Sequence, residues 1–293
     1  MTSSITQLTG FAHLTDLPCW QLRCGDATVV VSSYGAHVLQ YICAEAGQPQ
    51  LWLSPKAVWQ GQQPIRGGVP ICWPWFGKIN PLLLESLSPD ARSALTLPNH
   101  GLVRTRQWQK TAEHVNEDVV SIEFSIEVTD IPWHRHPVTL RYLVQLDQQL
   151  TLTLSCDVPI AQQAALHSYF TVADSQQTTV SPLPANFFDK VSDSQVQSDT
   201  DVLQFQGEID RVYPDTAASL ILTEHHRSLA ILQLGHDASV LWNPAADKAA
   251  ASADIPADGW STFVCVESAR LTTAAAPLQL TQIIKPPREW RLG

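Results

Sequence analysis

Five short segments of the sequence combine polar side chains with glycine or aromatic residues in a way that a packed core does not require. Elsewhere the chain largely alternates apolar and polar residues, and these segments interrupt the alternation. They are PIRGGVPICWPWFG (64–77), NHGLVR (99–104), ALHSYF (165–170), EIDRVY (208–213) and VCVES (264–268). Their side chains are the first candidates for catalysis and ligand binding.

Glu267 and His167 are the two titratable side chains best suited to proton transfer. Glu267 follows Phe263 and Cys265 on the same face of an apolar strand, where a carboxylate is costly unless it is paired or functional. Burial raises the pKa of such a carboxyl group, which suits it to proton transfer near neutral pH. His167 lies in the apolar run AALHSYF. Taken alone, Glu267 could instead end an exposed strand, and His167 could be a core histidine.

The first segment has the composition of a sugar-binding surface. Arg66 is followed by a glycine pair, which reaches backbone conformations closed to other residues, and by the aromatic run WPWF. Aromatic rings stack on the apolar faces of sugars, while the hydroxyl groups need hydrogen-bond donors and acceptors. The alternative is a Pro/Gly corner whose aromatic residues belong to the core.

Composition excludes several classes of partner. With 18 Lys or Arg and 28 Asp or Glu, the formal net charge is 18 − 28 = −10, which argues against nucleic-acid and membrane surfaces. The six cysteines are scattered without a C-x-x-C pair, so we expect reduced thiols and no metal site. The N-terminus lacks the basic and apolar regions of a secretion signal, and we expect a cytoplasmic protein.

The elements that must position these side chains are predicted to be strands. Residues 121–128 alternate apolar with polar side chains, and 140–146 and 150–158 repeat this pattern across a three-residue connection, which predicts a hairpin. Further strands are predicted at 27–33, 37–43, 228–234, 239–243, 261–268 and 278–284. The pattern favours a large antiparallel sandwich.

Little else interrupts the predicted strands. A short helix is predicted around 82–95, interrupted by Pro89, and it is the only helix that the sequence predicts. The Ala/Asp-rich stretch 245–259 is interpreted as an active-site loop or a surface excursion. No Gly/Ser linker divides the chain, so we expect residues 1–293 to form one domain.

Together, the five segments resemble the hexose-6-phosphate mutarotases, also called glucose-6-phosphate 1-epimerases, of the aldose 1-epimerase superfamily. The resemblance extends from about residue 27 to residue 284, with all five segments in family order, and WPWFG is similar to the bacterial subgroup. It implies an all-β fold, a large antiparallel β-sandwich of the galactose mutarotase-like type. It also implies acid–base interconversion of the anomers of a hexose 6-phosphate, without a cofactor or a metal.

The resemblance assigns roles to individual residues. It implies that His167 and Glu267 are the catalytic pair, with Glu267 as the base for O1–H and protonated His167 as the acid for the ring oxygen. The substrate-binding positions that it implies are Arg66, Asn99, His100, Arg104 and Asp210, with the phosphate held by Arg66 and Arg104. Two departures from the family pattern occur: Asn99 stands where relatives often have Gln or Ala, and HGLVRTR replaces HGFARN.

Two other functions remain open at this stage. An aldose 1-epimerase that acts on unphosphorylated hexoses would keep the catalytic pair, and the two arginines argue against it. A silent sugar-phosphate-binding protein would keep the sandwich without turnover, although it would not need an acid–base pair. We expect a monomer whose only partner is a small-molecule substrate.

Overall fold

Antiparallel β-strands build most of the architecture. The structure is a computed structural model that describes residues 3–44, 47–225 and 227–285, together with the backbone of 288–289. The first four strands form a sheet in chain order: β1 (Ser4–Phe11), β2 (Leu14–Cys24), β3 (Ala27–Ser32) and β4 (Val38–Ile42). Each of them pairs antiparallel with the next.

The remaining described strands form two larger sheets. They are β5 (Ile71–Cys72), β6 (Gln109–Val115), β7 (Val120–Val128), β8 (Val138–Leu146), β9 (Leu150–Ile160), β10 (Ala164–Leu166), β11 (Tyr169–Thr171), β12 (Thr178–Ser181), β13 (Asn186–Asp189), β14 (Ser194–Gln197), β15 (Leu203–Gln204), β16 (Ile209–Pro214), β17 (Ser219–Glu224), β18 (Arg227–Leu234), β19 (Ala238–Asn243), β20 (Phe263–Arg270), β21 (Ala276–Ile284) and β22 (Arg288–Glu289).

The two larger sheets differ in size and in strand order. The ten-stranded sheet has the order β15-β12-β17-β18-β21-β9-β8-β7-β6, with β22 on β18. The eight-stranded sheet has the order β14-β13-β16-β19-β20-β10-β5, with β11 on β20. The predicted hairpin is confirmed as β8 and β9, which pair from Leu146↔Leu150 to Arg141↔Ser155.

The main hydrophobic core lies between these two sheets. On β7, Ile122 and Phe124 are buried, and Glu123 between them is partly exposed, as the period of two predicts. On the opposite sheet, Val264 and Val266 of β20 belong to the same buried cluster. The antiparallel sandwich that the sequence predicts is confirmed.

Strand β20 presents different side chains to the two sides of its sheet. Val264 and Val266 enter the main core, whereas Phe263 and Cys265 belong to a separate buried cluster. Successive side chains of a strand point to opposite faces, so Glu267 shares the face of Phe263 and Cys265. The carboxylate therefore lies on the side of the eight-stranded sheet that faces away from the main core.

Helices are few and short. In the region predicted as one helix around 82–95, the structure has a 3₁₀ turn at Pro81–Leu84 and helix α1 at Pro89–Ser93. Pro89 begins α1 rather than interrupting it, because proline suits the first helical position and Ser88 caps the helix. Helix α2 (Ala245–Ala250) was not predicted, and further 3₁₀ turns occupy Gln60–Gln62, Ser175–Gln177 and Gly259–Thr262.

The sequence also failed to predict several described strands, among them β1, β2, β5, β6 and β10–β17. Strands β1 and β2 precede the first predicted strand. Pro18 in β2 counts against a strand interior, but it pairs with Thr9 where the register between β1 and β2 shifts, and the pairing with β3 begins only at Cys19. EIDRVY, which was predicted to break the alternation, forms β16. No helix among the described residues has the length and apolar character needed to cross a bilayer.

Candidate functional site

Four of the five predicted segments lie side by side on the eight-stranded sheet. Strands β16, β20, β10 and β5 carry them in that order, with β19 between β16 and β20, so residues far apart in sequence meet on one sheet. The fifth segment joins through a bridge between Gly101 and Trp73 of the first segment. The structure thus brings together segments whose residues lie about 200 positions apart, since Arg66 and Glu267 are separated by 267 − 66 = 201 positions.

His167 and Glu267 meet at the centre of this face. His167 follows β10, and Glu267 lies on β20, where Leu166 pairs with Ser268. Nδ1 of His167 lies 3.4 Å from Oε1 of Glu267, and the side chains are 9% and 1% exposed. This separation is within ion-pair range, but Nδ1 of His167 and Oε2 of Glu267 have no hydrogen-bond partner among the described residues. Each group can therefore still serve a bound ligand.

Burial shifts the pKa values of both groups toward their neutral forms. Desolvation raises the pKa of Glu267 well above its usual value, against the opposing charge of Lys190. Desolvation also lowers the pKa of His167 well below its usual value, and the charges of Arg66 and Arg104 add to this effect. Both shifts favour the uncharged forms, a protonated carboxyl group on Glu267 and a neutral imidazole on His167, before a substrate binds. The predicted roles of Glu267 as base and His167 as acid need the opposite distribution of charge and stay a prediction for the reacting complex.

Glu267→Gln is expected to stabilise the protein by an amount that grows with pH. Folded Glu267 keeps its proton at pH values where the unfolded chain has released it, so the free energy of unfolding falls as pH rises through this window. Each pH unit between the unfolded and the higher folded pKa changes that free energy by about 1.4 kcal/mol. Glutamine removes the dependence, and urea unfolding at several pH values above the unfolded pKa measures it.

The exposed substitution Glu85→Gln is the matched control for this experiment. Its effect on the free energy of unfolding should be the same at each pH, because its side chain lies at the surface. A stabilisation by Glu267→Gln that stays constant across the range would contradict the assignment of the resting proton to Glu267.

Aromatic rings form one wall beside the pair. The imidazole of His167 stacks on Tyr169, with ring centroids 4.9 Å apart and planes at 7°, and it meets Trp242 edge-on at 6.1 Å. Trp52 and Phe263 pack behind Tyr169. Flat apolar surfaces of this kind suit the C–H faces of a pyranose ring.

Arg66 is held on this wall by two partners. Its Nε donates to Oδ2 of Asp254 at 2.9 Å, and its Nη1 donates to the hydroxyl of Tyr169 at 2.9 Å. These contacts raise the pKa of Arg66 further above its usual value. Asp254 lies in the 245–259 stretch, so the interpretation of that stretch as a site loop fits its position. Asp254 offsets the positive charge of Arg66.

Gly68, two residues after Arg66, fixes the backbone of the RGGVP segment. Gly68 has φ +59°, and a Cβ there would lie 2.1 Å from the carbonyl oxygen of Val38. Only glycine fits such an approach. The carbonyl oxygen of Gly68 accepts from the N–H of Tyr169 at 2.9 Å, and that of Pro70 accepts from His167 at 3.0 Å. The RGGVP segment therefore aligns the histidine segment by backbone hydrogen bonds.

His100 lies beside His167 in a defined tautomer. The N–H of Gly77 donates to Nδ1 of His100 at 3.3 Å, and the thiol of Cys72 contacts the same atom at 3.3 Å. Burial lowers the pKa of His100 to about 3, with the charge of Arg104 adding to the shift. A neutral ring that accepts at Nδ1 carries its proton on Nε2. His100 is therefore a hydrogen-bond donor, 5.5 Å from the His167 ring.

Arg104 differs from the other cations of the site. Its Nη2 donates to the backbone carbonyl of Asn99 at 2.9 Å, and it has no carboxylate partner in the part of the chain that the structure describes. Asn99 is exposed, and its described contact with Arg104 is through the backbone. Arg104 lies close enough to His167 and His100 to lower the pKa of both. Its charge is therefore available to an anion.

Asp210 pairs with a lysine that the sequence did not predict. Nζ of Lys190 lies 3.4 Å from Oδ1 of Asp210 and 4.6 Å from the centroid of the Phe76 ring. Burial raises the pKa of Asp210, while Lys190 opposes the shift. Lys190 follows β13 in an ordinary polar run, and no local pattern marks it. No local pattern singled out Asp254 either, although the stretch 245–259 that contains it was noted.

The fold and the paired His167 and Glu267 define a galactose mutarotase-like β-sandwich. A crystal structure titled "putative mutarotase" from Salmonella typhimurium aligns with a TM-score of 0.84 at 26% identity, over 98% of this chain and 97% of that one. Galactose 1-epimerase from Lactobacillus acidophilus NCFM has a TM-score of 0.73 at 12% identity, over 99% of both chains, and shares the fold.

Sequence comparison assigns the family. The profile of the family described as "Aldose 1-epimerase" matches residues 18–282, and the chain belongs to this family. A Salmonella typhimurium protein named "Putative glucose-6-phosphate 1-epimerase" is 32% identical, over 97% of this chain and 93% of that protein. An Escherichia coli K12 protein of the same name is 33% identical, over 86% and 84% respectively.

Proposed function

We propose that the protein interconverts the α and β anomers of a hexose 6-phosphate, with glucose 6-phosphate as the foremost candidate. The observation that carries this proposal is the buried His167–Glu267 pair, 3.4 Å apart, beside the guanidinium group of Arg104. Mutarotation needs one group to take the O1 proton and another to protonate the ring oxygen. The family and the names of its relatives support the same reaction.

The proton of the pair moves before the ring opens. Desolvation is the largest cause of the lowered pKa of His167, and Arg104 is one of the charges that add to it; a phosphate dianion paired with Arg104 offsets that charge. For the reacting complex we propose that the proton resides on His167, which leaves a carboxylate on Glu267 and an imidazolium. With these charges Glu267 can act as the base for O1–H and His167 as the acid for the ring oxygen, which are the roles that the sequence resemblance implies.

Ring opening and closure follow from these two charges. The carboxylate of Glu267 takes the proton from O1 as the C1–O5 bond breaks, and the imidazolium of His167 protonates the ring oxygen. The aldehyde turns about the C1–C2 bond, and O5 attacks the opposite face while both protons return. Positioned proton transfer contributes roughly 100- to 10,000-fold per group. The steps use only groups of this chain and the substrate.

The residues around the catalytic pair have different roles in binding the phosphate and the sugar. We assign the phosphate chiefly to Arg104, because Asp254 already offsets the charge of Arg66. Arg66 keeps donors beside the aromatic wall and assists in holding the sugar and its phosphate. Asp210 accepts hydrogen bonds from sugar hydroxyl groups, and Nε2–H of His100 donates one.

Exchange NMR between the anomers of glucose 6-phosphate tests the proposed function directly. We expect cross-peaks between the two C1–H signals at enzyme concentrations where the uncatalysed reaction gives none. Free glucose at the same concentration should exchange much more slowly. Equal rates would favour the aldose 1-epimerase of unphosphorylated hexoses. Binding of glucose 6-phosphate without exchange would favour the silent binding protein and would overturn the proposal.

We also propose that the enzyme works in the cytoplasm. None of the six cysteines forms a disulfide in the part of the chain that the structure describes, and five of them are buried. Reduced thiols in this number are typical of a reducing compartment. Hexose 6-phosphates are charged metabolites, and a catalyst for them belongs where they are retained.

A further inference from the structure

Gln282 is a buried polar residue that reaches the site from the opposite sheet. It lies on β21 of the ten-stranded sheet, and its side chain has no exposure to solvent. A buried amide is costly unless its hydrogen bonds are made. Its partners are therefore informative about its role.

Those partners flank both members of the catalytic pair. Oε1 of Gln282 accepts from the hydroxyl of Ser168, which directly follows His167. Nε2 donates to the backbone carbonyl of Val266 at 3.2 Å and to the hydroxyl of Ser268 at 2.9 Å, the residues on either side of Glu267. One amide thus joins the histidine segment to the glutamate strand.

The catalytic side chains are placed by the backbones that carry them, which pair directly at Leu166↔Ser268 and through the N–H of Val266, which donates to the carbonyl oxygen of Ser168 at 3.2 Å. Nδ1 of His167 and Oε2 of Glu267 have no hydrogen-bond partner among the described residues. Their separation therefore depends on where the backbones of 166–168 and 266–268 are held. The amide of Gln282 ties these two backbones from behind, on the face opposite the substrate.

We propose that Gln282 is a positioning residue that sets the separation of His167 and Glu267 for proton transfer. The inference rests on the proposed function and adds a residue that lies outside the substrate cleft. Its effect is on geometry, so it should appear in turnover rather than in substrate binding. A misplacement of about 1 Å can lower turnover roughly 100-fold.

The neighbouring strand supplies a matched control. Gln233 of β18 pairs with Gln282 in register and is equally buried in the same sheet. Its side chain bonds instead to Ser239, which pairs in register with Ser268, and to the carbonyl of Ala217, and its described hydrogen bonds include none to Ser168, Val266 or Ser268. Replacing either glutamine with methionine keeps the volume and removes the hydrogen bonds.

Gln282→Met should lower kcat for glucose 6-phosphate by about 10- to 100-fold and change KM less than about 3-fold. Gln233→Met should lower kcat less than about 3-fold. Equal effects of the two variants on kcat, or a change confined to KM, would overturn the proposal. Wild-type exchange is measured first, and its absence would refute the proposed function and not this inference.

Two further measurements keep the inference testable if Gln282→Met fails to fold. Ser168→Ala removes only the link to the histidine segment, and we expect a kcat loss of about 3- to 10-fold with KM unchanged. In ¹⁵N-histidine-labelled protein, Ser168→Ala and Gln282→Met should shift the His167 ring signals, assigned with His167→Ala. Gln233→Met should leave those signals unchanged. Unaltered His167 signals in Ser168→Ala would contradict the positioning role without any assay of turnover.

Discussion

His167→Ala and Glu267→Gln are each expected to lower the rate of glucose 6-phosphate anomer exchange by at least roughly 100-fold. Each removes one of the two groups that move protons, and positioned proton transfer is worth roughly 100- to 10,000-fold. His167 directly follows β10 and Glu267 lies on the neighbouring strand β20, and the two side chains are 3.4 Å apart. Exchange NMR with matched enzyme concentrations gives the rates.

The double variant is expected to be scarcely slower than the slower single variant. Groups that act as one unit give non-additive losses, because removal of either one already disables the shared proton transfer. Independent roles would instead give losses that multiply. The exposed substitutions Glu85→Gln and His114→Ala are controls that should keep normal exchange.

Stability measurements separate loss of chemistry from loss of fold. Glu267→Gln removes a buried carboxyl group that disfavours the folded state as pH rises, so the inactive variant should be the more stable protein at alkaline pH. Near-normal exchange by either single variant would show that its residue is not part of the proton-transfer pair.

Much of the fold follows from local sequence patterns. Strand β7 alternates because one of its faces packs on the main core, and the hairpin of β8 and β9 follows the same rule. The face of Glu267 was predictable for the same reason, because every second residue of a strand lies on the same face and Glu267 therefore shares the face of Phe263 and Cys265. Period-two patterns fail where a strand lacks one buried face, as in β6, whose residues are all exposed.

The rest of the site depends on contacts that local patterns do not encode. Arg66 and Asp254 are 188 residues apart, and Gln282 and Ser168 are 114 apart. Gln282 occupies a position in LQLTQII that reads as an ordinary strand residue, and only the packing of two sheets shows its partners. The six-residue helix α2 is short, and its alanine content was the available signal for it.

Arg104→Ala is expected to lower kcat/KM for glucose 6-phosphate by about 10- to 150-fold. A charge-assisted hydrogen bond contributes roughly 1.5–3 kcal/mol, which corresponds to that range. Arg104 has no carboxylate partner among the described residues, so a phosphate dianion is its natural counter-charge. Free glucose lacks the dianion, and its low rate should change much less.

Arg106→Ala is the matched control for this prediction. Arg106 lies two residues further along the same loop, but it pairs with Asp130 through two hydrogen bonds at 2.8 and 2.6 Å. Its charge is already offset, so its loss should leave kcat/KM within about 2-fold. Arg66→Ala should affect both substrates, because Arg66 borders the aromatic wall, with the larger loss for glucose 6-phosphate.

Salt dependence distinguishes a charge effect from a loss of shape. Rising ionic strength screens the attraction between a guanidinium group and a dianion, so it should weaken glucose 6-phosphate and spare free glucose. Arg104→Ala should flatten this dependence, whereas Arg106→Ala should preserve it. If Arg104→Ala lowers kcat/KM equally for both sugars, Arg104 supports the ring or the loop rather than the phosphate. The chain would then be better described as an epimerase of unphosphorylated hexoses, since no other described cation of the site lacks a carboxylate partner within reach.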